Sequence, residues 1–132
     1  MTNEQKDELI KYRIEKALQT IAEVEVLLQN NLWNTAINRL YYSCFYAVTA
    51  LLLFHDIKAQ THSGVKQMFG QHFVLNNLIS FEKGKFYSDL FEKRQRSDYE
   101  DFYEFNELEV RKLLIPAEEL IKQIEILLFK NN

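Results

Sequence analysis

The sequence predicts an all-α fold, an up-and-down antiparallel four-helix bundle with an extra short helix between the second and third long helices. Two observations carry this. Turn formers are scarce, with three glycines and one proline in 132 residues, and sheets need such residues at every reversal. Apolar side chains also recur three and four apart over four long stretches, so each can bury one face of a helix. The chain, 1–132, is read as one domain, large enough to build its own core.

The first helix is expected over about 4–29, with Leu9, Tyr12 or Arg13, Lys16 or Ala17, Thr20 or Ile21, Val24 and Leu27 or Leu28 at helical spacing. Asn30-Asn31 marks the break. The second runs over about 33–55. Ile37, Leu40, Tyr41, Cys44, Phe45, Val48, Leu51 and Leu52 form its seam, and Ala36, Ala47 and Ala50 keep the flanks small. A helix apolar on nearly every side is either central or at a subunit interface. With Trp33 and several tyrosines that look exposed, this predicts a homodimer.

Thr61 or Ser63 caps a short helix over about 63–73, whose apolar face is Val65, Met68, Phe69 and Phe73. The third long helix covers about 82–98, with Phe86, Leu90, Phe91 and Arg94 or Gln95 in register. Asn106 opens the last, with Glu109 three residues on as in a capping box, and it continues to about 129. Pro116 falls inside that pattern and must kink or split the helix, because it lacks an N–H and its ring crowds the preceding turn.

Composition excludes several functions. A net charge of -3 argues against a broad basic face for duplex nucleic acid, though it leaves room for a local basic pocket. One cysteine, Cys44, allows no intramolecular disulfide and no multi-cysteine metal site. No histidine pair has metal-ligand spacing, and neither a metal nor a cofactor is expected. The opening residues are polar and of mixed charge, unlike a signal peptide. The longest apolar run, AVTALLLF, is far short of the ~20 residues that cross a bilayer. The expected location is the cytoplasm.

Three places carry unusual chemistry. In RQRSDYEDF, Arg94 and Asp98 lie one helical turn apart and share a face. They are either a surface ion pair or an arginine held towards a phosphate. Asn38 and Arg39 are polar in the middle of the most apolar helix, where a charge needs water or a partner such as Asp98. They either fix helix register or line a polar cleft with Tyr42. His62, at the start of the short helix, either caps it or helps bind an anion at its exposed N–H groups. Among the aromatics, Tyr87, Tyr99, Tyr103 and Phe105 are the candidates for stacking on bases.

AINRLYYSCFYAVTALL, THSGVKQMFGQHFV and LFEKRQRSDYEDF, followed by a closing acidic-apolar helix, resemble the HEPN superfamily, in particular its small stand-alone prokaryotic branch. The likeness spans about residues 8–128 and implies a helical bundle that usually dimerises. Many HEPN domains are metal-independent ribonucleases. Their motif is an arginine, often a polar residue next, then a histidine four to six positions on, with two copies meeting across a dimer. By resemblance Arg94 takes the arginine position, Gln95 the polar one and Tyr99 that of the histidine. Tyrosine, with an ordinary pKa near 10, is a poor base at neutral pH.

The resemblance therefore implies a site that binds a nucleotide or RNA, with Asn38, Arg39, Tyr42, His62 and Arg94 as phosphate or nucleotide contacts. Asp98 orients the arginine, and Tyr99 stacks or donates a hydrogen bond. The alternatives are a divergent ribonuclease toxin built on Arg94, Asp98 and Tyr99, with His62 approaching from the preceding connection, and a purely structural ion-pair network. HEPN proteins also pair with a minimal nucleotidyltransferase, as toxin with antitoxin, which is the expected protein partner. In some pairs a tyrosine two residues past the histidine position is modified; here that position is Asp101.

Overall fold

The computed structural model describes residues 1–129. Among them the chain is helical, with no strand: α1 (Asn3–Gln29), α2 (Trp33–Phe54), α3 (His62–Phe69), a π-helical turn (Gly70–Val74), α4 (Phe81–Tyr99), α5 (Glu107–Arg111) and α6 (Leu114–Phe129). The four long helices run up and down. Lys6 reaches Asp56 and Arg13 reaches Thr49, so α1 and α2 are antiparallel. Asn34 meets Tyr103 and Phe105 while Tyr42 meets Arg94, so α4 runs against α2. The end of α6 returns beside Ile10 and Phe54.

Local chemistry explains the boundaries. Thr2 and Gln5 close a capping box at α1, and Asn106 and Glu109 close another at α5. Thr61 caps α3 by accepting from Gly64 N at 2.9 Å. Ser80 caps α4 by accepting from Lys83 N at 3.2 Å. The helix ends need no glycine. Asn31, Asp56 and Asn77 take left-handed φ values of 59°, 57° and 62°, as asparagine and aspartate do with least penalty. After each, an N–H reaches back five residues: Leu32 to Leu27 O at 3.0 Å, Ile57 to Leu52 O at 2.9 Å and Leu78 to Phe73 O at 2.9 Å.

Pro116 splits the last helix. α5 ends at Arg111, and α6 restarts at Leu114 with Pro116 in its first turn, where a missing N–H costs nothing. The stripe on α1 also differs from expectation. Ile10, Ile14, Ala17, Ile21, Val24 and Leu28 are buried, whereas Tyr12 is 58% exposed. The side chains that fill the groove on α2 are the β-branched and small ones.

α2 is central. Ala36, Ile37, Leu40, Tyr41, Cys44, Ala47, Val48, Ala50 and Leu51 are fully buried beneath α1, α4 and α6. By length and composition alone α2 is apolar enough to cross a membrane, but much of that surface is spent on its own bundle. Each large apolar side chain so buried contributes about 1.5–3 kcal/mol.

One close approach makes a test. A Cβ on Gly84 would lie 2.6 Å from Val74 Cγ2 and 3.0 Å from Cγ1. Gly84→Ala gains helix propensity but forces α4 off the π-helical turn, and the expected net cost is about 1–3 kcal/mol. Urea denaturation measures it. Val74→Ala in the same chain should recover most of the loss, since it removes the two methyl carbons in conflict.

Candidate functional site

The antiparallel crossing of α2 and α4 lays Arg94 against two tyrosines of α2. Its guanidinium carbon stands 4.9 Å from the centre of the Tyr41 ring and 5.7 Å from that of Tyr42. A cation over an aromatic face is attracted by the ring quadrupole, more so where water is excluded. Arg94 is only 6% exposed. Its Nη1 donates to Asp98 Oδ2 at 3.3 Å and, more weakly, to Tyr42 Oη at 3.5 Å.

The other edge of this guanidinium has no protein partner among the described residues. Nε is sealed from solvent without a hydrogen bond. Nη2 makes none either but is not sealed. Nε and Nη2 together form the side-on fork that grips carboxylate or phosphate in two parallel bonds. A buried charged donor without a protein partner costs stability.

His62 joins the cluster from the first turn of α3. Its Nδ1 lies 2.9 Å from Tyr41 Oη, and its ring packs on Phe45 with centroids 4.5 Å apart. Burial, and then the positive charge of Arg94, hold the His62 pKa below its ordinary value. Burial drives the Tyr41 hydroxyl up to about 12. At neutral pH the bond therefore joins a neutral imidazole to a neutral phenol.

A pH dependence follows. The unfolded chain binds a proton at an ordinary histidine pKa of about 6.5, the folded chain at a lower one. The stability His62 contributes is complete above about pH 6.5 and is lost as pH falls towards the depressed value. His55, lowered chiefly by burial, adds to the loss in the same direction. Melting temperature should fall on acidification from pH 7.5 to 5, and less steeply in His62→Asn.

Other candidates are placed differently. Arg39 does not reach Asp98. Its Nε and Nη2 donate to Asn38 Oδ1 at 3.1 and 2.9 Å, and its guanidinium carbon lies 5.4 Å from the Tyr42 ring centre. Tyr42 thus carries two arginines on its ring, Arg39 and Arg94, while Asp98 answers only Arg94. Tyr99 is 75% exposed at the end of α4 and takes no part in the bonds or ring contacts of the cluster. Tyr87 and Phe105 are buried and unable to stack on bases. Tyr103, half-buried, lies under Arg96 at 5.6 Å. Tyr41 escaped the sequence reading as a site residue. Its signal was a hydroxyl in a fully apolar seam, which must find a partner when buried.

Comparison with known proteins agrees with this arrangement of helices. The HEPN domain model matches residues 10–127. A UPF0332 protein of Thermotoga maritima is 36% identical over 124 residues, covering 94% of each chain. A Methanocaldococcus jannaschii protein named "Putative toxin MJ0142" is 36% identical over 76% of this chain and 69% of its own. Another from that organism, "Putative toxin MJ0605", is 33% identical over 70% of this chain and 69% of its own. On a match spanning α1 to α6, with relatives similar over most of their length, this chain belongs to the HEPN family.

Proposed function

We propose that this chain works in a toxin–antitoxin setting, in the cytoplasm, by binding a phosphate-bearing ligand, RNA or nucleotide, at Arg94. The unpaired Nε/Nη2 edge carries this reading, with Nη2 the donor a ligand reaches directly and Nε reached once the covering side chains shift. Asp98 and Tyr42 hold Nη1 and so aim the fork, and the two tyrosine rings exclude water that would weaken a charge-assisted bond. Arg39 and Asn38 lie on the other flank of Tyr42, where they add positive potential and polar contact. Tyr99, free at the helix end, is available to stack on a base. Two copies of the chain are proposed to bring their forks together, and a minimal nucleotidyltransferase is the proposed protein partner. The toxin-named relatives support that setting.

A second reading, a metal-independent ribonuclease, is favoured by His62. In the tautomer in which Nδ1–H donates to Tyr41 Oη, the imidazole Nε2 is left to accept a proton. A neutral histidine near a phosphate-holding arginine is what abstraction of a 2′-OH proton requires. The test is incubation of purified protein with labelled RNAs in EDTA, wild type beside Arg94→Met and His62→Asn. Binding lost with Arg94 and no cleavage by wild type supports the first reading and sinks the second. Cleavage lost in both variants makes the second reading correct. RNA and nucleotides bound equally by wild type and Arg94→Met would overturn both.

A further inference from the structure

Beyond His62 a second cavity opens, between α2 and the segment that links α2 to α3. Its volume is about 550 Å³, within the size range of small-molecule sites. Phe45, Tyr46 and Ile57 line its apolar part, and Arg13 and Lys58 supply its charge. No Asp or Glu lines it, although acidic residues outnumber basic ones in the chain, 19 to 16.

Arg13 is half-buried, and its Nη1 donates to the carbonyl of Thr49 at 3.2 Å. Neither it nor Lys58 meets a carboxylate among the described residues. Burial has also pulled the Arg13 pKa below its ordinary value, the sign of a desolvated cation without a counter-charge. A partly buried charge of this kind is costly unless something of opposite sign completes it.

We propose that this cavity binds a small organic anion, a phosphate or carboxylate carried on a flat apolar body, with its charged group at Arg13 and Lys58 and its body against Phe45 and Tyr46. The site adjoins the Arg94 cluster through His62 and Phe45 but does not include Arg94, and it does not depend on the fork's function. Arg13 is anchored on α1 with part of its fork still open, and Lys58 on an exposed link can swing to close over the ligand. The aromatic walls give the body an apolar contact that free phosphate cannot use.

Phenyl phosphate is the probe, with inorganic phosphate as the head-group control, each titrated into full-length protein by calorimetry. Phenyl phosphate should bind at this cavity with Kd on the order of 1 mM or tighter, the value its atom count allows. Arg13→Gln should weaken it roughly 10-fold or more, as loss of a charge-assisted bond does. Lys58→Gln, on the exposed link where folding is not at stake, should weaken it by a smaller factor. In Arg94→Met, where the fork can hold no phosphate, phenyl phosphate should still bind at this cavity and should still depend on Arg13 and Lys58. No binding would overturn the proposal, as would equal affinity for inorganic phosphate, or loss in Arg94→Met with indifference to Arg13→Gln and Lys58→Gln.

Discussion

Arg94→Met leaves the bundle folded and weakens RNA or nucleotide binding by roughly 10- to 100-fold, the factor that one bidentate charge-assisted contact supplies. Both halves of this expectation come from the surroundings of Arg94. The residue is buried between Tyr41 and Tyr42, so methionine, unbranched and of similar length, fills most of the same space. Removing one partner of an ion pair is strongly destabilising only where the charge left behind stays buried. The abandoned carboxylate of Asp98 retains 28% of its side-chain surface in water, which limits the penalty for losing its partner. The expected change in stability is within about 1 kcal/mol.

Two companion variants separate binding from architecture. Arg94→Ala opens a cavity beside the rings and should cost about 2–4 kcal/mol. Arg94→Lys keeps the charge but has no planar fork, so it should fold and still bind poorly. A purely structural arginine predicts the reverse order: binding that follows stability across all three variants. Melting curves and RNA titrations on the same preparations decide between the two.

Much of this architecture was legible in the chain because helical periodicity is a strong signal where both flanks agree. The seam of α2 reads directly from Ile37 to Leu52. On α1 two stripes compete. Leu9 and Tyr12 are apolar enough to look like core, yet the groove takes Ile10 and Ile14, a difference of shape that hydrophobicity does not encode. Pro116 announced a break, and first-turn tolerance of proline decides its form. At the site, the turn-apart spacing of Arg94 and Asp98 foretold their bond. The register that set Arg94 or Gln95 in line with Leu90 and Phe91 pointed to a core-facing position, and Arg94 is the one that takes it; the rings that cover it come from another helix and left no local signal. Tyr41 and His62 are 21 residues apart, and no local pattern links them. Arg39 was matched with Asp98 by charge, but Arg94 sits on the same helix as Asp98 and reaches it first.

Asn34→Ala should be the most damaging substitution of a polar side chain outside the arginine cluster, at about 2–4 kcal/mol. One amide side chain holds the segment between α4 and α5. Asn34 Nδ2 donates to Tyr103 O at 2.9 Å, and Asn34 Oδ1 accepts from Phe105 N at 2.9 Å. Its own carbonyl meets Ser97 Oγ at 3.4 Å. Truncation orphans a donor and an acceptor of the backbone in a part-buried setting, and each such group costs about 1–3 kcal/mol. Asn34→Asp isolates the two bonds. It can still accept from Phe105 N but cannot donate to Tyr103, and it sets a carboxylate against that carbonyl, so it should recover none of the loss at neutral pH. The consequence extends beyond stability. Phe105 is 3% exposed and anchors the end of this segment in the core, and the same segment follows directly from the turn of α4 that bears Arg94 and Asp98. Hydrogen exchange in Asn34→Ala should therefore rise first at residues 97–105. If it rises instead evenly along α2, Asn34 stabilises its own helix and does not hold the segment that supports the fork.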